Sequence, residues 1–138
     1  MSSPKYVNFI EAIQLFFKNY LNQKGRSTRS EYWFFILFNF IVTSACSILG
    51  YRTEWLICKT TDLYGNVSGY SVFTVIWLVI IFIPSICLSI RRMHDIGKSG
   101  AWILIEFVPA VGTLLFVILA CIPSDGDNKY GLAAYPKN

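Results

Sequence analysis

The densest polar stretch of the chain is Arg91-Arg92-Met93-His94-Asp95-Ile96-Gly97-Lys98-Ser99-Gly100. Gly97-Lys98-Ser99 has the ending of a phosphate-binding loop. That loop needs a glycine five residues before Gly97, where this chain has Arg92, and no strand leads into it. His94 beside Asp95 suggests proton transfer. Adjacent residues do not share a helix face, so these two would meet only in a turn. No nucleophile accompanies them, and structural hydrogen bonding in a tight interfacial turn is the expectation. Arg91 and Arg92 read as headgroup-level anchors, and Gly97 and Gly100 as points where the chain reverses.

Metal chemistry finds no support. The cysteines are Cys46, Cys58, Cys87 and Cys121, without CxxC spacing, and His94 is the sole histidine. No cofactor, disulfide framework or nucleic-acid stripe is expected. Two polar residues stand in apolar surroundings. Glu106 is costly at membrane depth and is a functional hypothesis by default. It lies six residues past Gly100, so pairing with Lys98 or an arginine of the same loop is expected. Asn39 needs a partner in lipid and is expected to hydrogen-bond across helices.

The elements that position these residues follow from composition. Hydrophobic residues make up 54% of the 138 and charged residues 14%, against a usual charged share of about 25%. That is too little charge to cover a water-facing surface. Uncharged runs cover 32–50 and 71–90, and 101–123 carries only Glu106. Each approaches the ~20 residues that a helix needs to cross a membrane. The expected fold is an all-α integral membrane protein, a single membrane domain over 1–138. It has an N-terminal amphipathic helix over 5–21 and three transmembrane helices. The amphipathic helix is expected to lie in the interface plane, with packing on the bundle as the alternative. Pro84 and Pro109 should kink their helices, and Pro109 beside Gly112 makes a hinge or a packing bend. The first apolar run begins too late for a cleavable signal.

Charge then threads the chain. Residues 1–31 carry net +3, 51–70 net zero, 91–100 net +2 and 124–138 net zero. With three spans, the positive-inside rule places the N-terminus and 91–100 in the cytoplasm, and 51–70 and the C-terminus outside; a third run that is instead a re-entrant hairpin bent at Pro109–Gly112 would return the C-terminus to the cytoplasm.

Three stretches carry a family resemblance: Gly25-Arg26-Ser27-Thr28-Arg29-Ser30-Glu31-Tyr32-Trp33, then Arg91 through Gly100, then Pro123 through Asp127-Asn128-Lys129-Tyr130-Gly131. Their order and spacing resemble the bacterial inner-membrane family known as domain of unknown function 805, over about residues 8–134. Its pattern reads G-R-x-x-R-x-E-Y-W, then R-R-L-H-D-x-G-x-S-G-W, then a tail ending N-x-Y-G. This chain departs with Met93 in place of Leu and with Ala101 inserted before Trp102. The resemblance implies a multi-pass inner-membrane protein and supplies no activity or catalytic residue. It does single out Arg26, Arg29, Glu31, Arg91, Arg92, His94, Asp95, Gly97 and Gly100 as one constellation.

Physically, that constellation reads as a polar latch. Arg29, Glu31, Arg91, Arg92 and Asp95 should form an ion-pair network at one membrane face, with His94 hydrogen-bonded into it. The leading functional expectation is a non-enzymatic protein whose cytoplasmic polar layer contacts membrane lipids or a membrane-protein partner, a second copy included. A subunit of a small oligomeric transporter or channel, with Glu106 and Asn39 lining its path, is the alternative. A lipid-headgroup enzyme using His94 and Asp95 comes third.

Overall fold

Asn8 opens the first helix, its backbone N–H donating to Glu11 Oε2 at 2.9 Å. In this computed structural model, residues 7–61, 63–65 and 67–131 are described. The first two residues of the expected amphipathic helix, Asn66 of the 51–70 loop and the tail beyond Gly131 lie outside them. The observed helix α1 is Phe9–Lys18, shorter than expected. Asn19 ends it, its side-chain amide and backbone N–H both donating to the Leu15 carbonyl. Its apolar face packs on protein. Ala12 and Phe16 are fully buried, and the Phe16 ring stacks on Phe35 at 3.6 Å. Helix α1 therefore packs through Phe16 while Ile10 and Phe17 remain exposed.

Helix α2 is Arg29–Arg52. It begins three residues before the uncharged run because Thr28 caps it: Thr28 Oγ1 accepts from the Glu31 N–H at 3.2 Å. Helix α3 is Val72–Asp95. Both are long and apolar enough to cross a membrane. The chain falls into two compact units. One holds the chain up to Ile36 and from Ile83 onward; the other is Leu37–Phe82.

Within Leu37–Phe82, strands β1 (Leu56–Thr61) and β2 (Val67–Ser71) pair antiparallel, Leu56 opposite Ser71 and Thr61 opposite Val67, with an irregularity between Ile57 and Thr60. The fold is therefore not all-α. Thr, Ile, Val and Tyr in this short segment favour extended backbone, and an antiparallel pair needs only a short turn between its strands. Ser71 Oγ donates to the Cys46 carbonyl at 2.8 Å. A Cβ on Gly50 would lie 2.3 Å from Ser71 Cβ, so glycine permits this approach.

In the other unit, α3 buries a stripe that changes character. Pro84, Cys87 and Leu88 are followed at helical spacing by Arg91, Arg92 and Asp95, all buried. The last turn of the helix therefore contains Arg91–Asp95, where a turn was expected. Gly97, at φ +73°, ends it. Lys98 N–H reaches the Met93 carbonyl at 2.9 Å and Gly97 N–H the His94 carbonyl at 3.1 Å, a Schellman closure.

The third apolar run is not one helix, contrary to the sequence expectation. Gly100–Phe107 is a 3-10 helix, capped by Ser99 Oγ accepting from the Ala101 N–H. Helix α4, Val111–Cys121, has only 11 residues, about 16 Å at 1.5 Å per residue. Between them Pro109 has no N–H to give, and Ala110 sits at φ +62°. Gly112 permits a tight reversal, since a Cβ there would lie 1.7 Å from the Ile105 carbonyl oxygen. Tip amides are satisfied locally: Val111 N–H donates to Pro109 O, Gly112 to Val108 O and Leu114 to Ala110 O. Pro109 thus marks a chain reversal where a kink was expected. Pro84, by contrast, sits inside a continuous α3.

Candidate functional site

Asp95 is the hub, with no exposed side-chain surface. Oδ1 accepts from Arg26 Nε at 2.9 Å. Oδ2 accepts from Arg92 Nη1, one helical turn earlier, and from Ser124 Oγ. Its backbone carbonyl accepts from Arg26 Nη2 at 3.0 Å and from the Asp125 N–H at 2.9 Å. A buried carboxylate is tolerated only when paired and hydrogen-bonded, and here it is both.

The two arginines work chiefly on carbonyls. Arg26 engages all five of its N–H donors. Besides Asp95, it reaches the carbonyls of Asp125 (2.6 Å), Gly126 (2.8 Å) and Gly131 (3.1 Å). Arg92, fully buried, donates to the carbonyls of Ala120 (3.1 Å), Ser27 (3.3 Å) and Ile122. Ala120 lies in the last turn of α4, where helical carbonyls lack intrahelical partners and the helix dipole favours a cation. Arg92 is therefore a C-cap supplied by a different helix. The planar guanidinium fork suits this work in a way that an ammonium does not.

A second buried pair sits beside the first. Arg91 Nη1 lies 3.0 Å from Glu31 Oε1, both side chains 5% exposed. The contact has ion-pair distance but not hydrogen-bond alignment, and Arg91 Nε and Nη2 have no protein partner. Ser27 N–H donates to the Arg91 carbonyl at 3.1 Å, linking the segment before α2 to the end of α3.

Other expected members fall elsewhere. Arg29 is exposed and, among the described residues, donates to the Cys121 carbonyl at 3.4 Å and forms no ion pair, so it joins the α4 cap. His94 shares no hydrogen bond with Asp95. Its Nδ1 lies 3.3 Å from the Gly25 carbonyl, and its ring stacks on Tyr130 at 3.8 Å and 7°. Gly97 lies beside Asp125, whose Oδ2 would be 2.9 Å from a Cβ there. Gly100 lies against Ile90 and His94. Glu106 is exposed. Among the described residues the ion pairs are Arg26–Asp95, Arg91–Glu31 and Arg92–Asp95, so the expected pairing of Glu106 is not formed. The 3-10 geometry explains this: Glu106 is carried away from the loop along a separate leg. In the other unit, Asn39 Oδ1 accepts from Trp77 Nε1 of α3 at 2.9 Å and from Thr43 Oγ1 at 3.4 Å.

Residue typing missed Ser124, Asp125 and Asn128. The N-x-Y-G tail was the one sequence signal for the last of them. Asn128 and Gly131 exchange both backbone hydrogen bonds, and Asn128 Oδ1 accepts from the Tyr130 N–H. Asn128 Nδ2 donates to the His94 carbonyl at 3.1 Å. This small turn holds Tyr130 on His94 and presents the Gly131 carbonyl to Arg26.

The comparisons agree on kinship. The model of a protein family of unknown function, DUF805, matches residues 20–132. The chain is 35% identical over 119 residues to the inner membrane protein YhaI of Escherichia coli K12, covering 83% of this chain and 86% of that one. It is 31% identical over 115 residues to the inner membrane protein YhaH of the same organism, covering 83% and 88%. No solved structure matches significantly.

Proposed function

The chain belongs to the DUF805 family of proteins of unknown function, and from that premise we propose a non-enzymatic inner-membrane protein whose polar latch lies at the cytoplasmic face and contacts lipid headgroups. One observation carries the reading. Arg26 and Arg92 join Asp95 to the carbonyls of residues 120–131, so the start of α2, the end of α3 and the end of α4 meet at one level. Since α3 ends there with basic residues, the positive-inside rule assigns that level to the cytoplasm.

The same meeting supports the re-entrant alternative for the third run. Only α2 and α3 span, and the 3-10 helix with α4 forms a re-entrant hairpin that enters and leaves at the cytoplasmic side. Neither leg is long enough to cross a ~30 Å core. Local bonds at the tip support this, because irregular backbone at membrane depth needs its polar groups satisfied. Residues 123–131 are then cytoplasmic, opposite to the side that the charge count with three spans assigns. The alternative of a transport path through Asn39 gains nothing, since its oxygen is already committed to Trp77 and Thr43.

Two measurements test the proposal. In a background without native cysteines, Leu63→Cys should label from outside intact cells with an impermeant thiol reagent. Asp127→Cys should label only after permeabilisation, and labelling of Asp127→Cys in intact cells would restore three full spans. A phospholipid carrying a photoreactive headgroup should cross-link to peptides from 22–30 and 91–99. Its absence from both refutes the headgroup contact.

A further inference from the structure

We propose that the cleft beside His94 is a binding site for one anionic phospholipid. This rests on the headgroup-level placement proposed above and goes further in naming the ligand and its seat. The cleft measures about 770 Å³, within the ~300–1,000 Å³ usual for ligand sites. Its lining is divided by chemistry. Lys24 and Lys129 supply the charge, and no carboxylate lines it. Among the described residues, neither lysine is in an ion pair. Lys129 Nζ rests 5.0 Å from the centroid of the Tyr130 ring, which holds its charge at the rim. The same lining also carries apolar Ile90, Ile103 and Leu104.

Such a divided lining fits an amphiphile and not a simple anion. The uncharged run ends at Ile90, so in the placement proposed above the apolar lining adjoins the hydrocarbon boundary and the long lysine side chains can extend to the depth of phosphates. A zwitterionic headgroup would bring an ammonium against two lysines. A soluble phosphate would leave the apolar wall unused.

His94 adds a polar contact of known sense. The Gly25 carbonyl can only accept, so Nδ1 carries the proton in that bond, and in the neutral ring Nε2 is left as an acceptor. Nε2 faces Gly100, where a Cβ would stand 3.4 Å from it and 2.8 Å from Ile90 Cγ2. A side chain there would crowd the cleft between His94 and Ile90. The absence of one lets a headgroup with a hydroxyl, such as that of phosphatidylglycerol, reach the imidazole while its phosphate meets the lysines.

The test is native mass spectrometry of the protein released from nanodiscs containing equal phosphatidylglycerol and phosphatidylcholine. The expected result is one retained phosphatidylglycerol per chain. Each cation at a membrane surface contributes about fivefold to anion binding, so Lys24→Gln with Lys129→Gln should weaken retention about 25-fold. Both lysines are removable without disturbing buried pairs, and the variant's melting temperature should match the parent. Leu104→Gln, on a wall residue 62% exposed, should weaken retention severalfold. Inorganic phosphate alone should not displace the lipid. Unchanged retention in the double-lysine variant, equal retention of both lipids, or displacement by phosphate overturns the assignment. Headgroup cross-links without anionic preference would end this inference and leave the latch reading standing. No cross-links at all would end both.

Discussion

Replacing Arg92 by alanine is the sharpest perturbation of the latch. It removes one of two guanidinium partners of a fully buried carboxylate, and the donor to the carbonyls of Ser27, Ala120 and Ile122. Breaking a buried ion pair from one side costs about 3–5 kcal/mol. A stranded buried carbonyl costs about 1–3 kcal/mol, but the terms share one site and do not add. Asp95 also keeps Arg26 and Ser124. The expected loss is therefore about 4 kcal/mol against a total stability of about 5–15 kcal/mol, close to a thousandfold in the folding constant. Arg92→Lys should recover only part of this, because an ammonium cannot reach carbonyls on both sides of Asp95. An SDS unfolding titration of purified protein, followed by tryptophan fluorescence, reads the effect, with exposed Lys18→Ala as a control expected within about 0.5 kcal/mol of the parent. If Arg92→Ala unfolds at the parental midpoint with the same slope, the buried-network argument is wrong and the arginine is only a headgroup anchor.

Other outcomes follow from the same geometry. A double-mutant cycle between Asn39→Ala and Trp77→Phe should give a coupling of about 0.6 kcal/mol, and at most about 1.7, in the same titration; no coupling would remove the bond between α2 and α3. Gly112→Ala should lower the melting temperature sharply, since its Cβ would overlap the Ile105 carbonyl, whereas Gly126→Ala, with open space around it, should be silent. Equal melting temperatures for these two variants would contradict the tight reversal at the hairpin tip.

Hydrophobic length made α2 and α3 legible, because composition over 20 residues nearly dictates a spanning helix. The same criterion could not decide whether residues 101–123 form one spanning helix or a re-entrant hairpin. A 23-residue apolar run and two short apolar legs have identical composition, and only Pro109 with Gly112 distinguishes them. The charge count could not help, for the tail is neutral and its assigned side depends on the number of spans assumed. Glu31, Arg91, Arg92 and Asp95 stood out by their density beside apolar runs, whereas Arg26 was singled out only by the family resemblance. Their partners were not legible. Most of what Arg26 and Arg92 hold is backbone carbonyl, which carries no residue-type signature, and the Arg26–Asp95 pair is 69 residues apart. The β-hairpin was hidden because its short strands lie in a segment marked mainly by turn formers.

The five hydrogen bonds of Arg26 have a consequence for biogenesis. Its partners emerge from the ribosome 69 to 105 residues after it does. Throughout most of translation Arg26 is therefore a cation without these partners. Closure waits for the segment 120–131, and the loop-closure entropy of so long a separation is met only then. Membrane insertion and completion of the latch are thus separate events in time. A chain stalled before Ser124 would contain every partner of Arg92 but lack three of the five acceptors of Arg26, so the two arginines are completed at different points of synthesis.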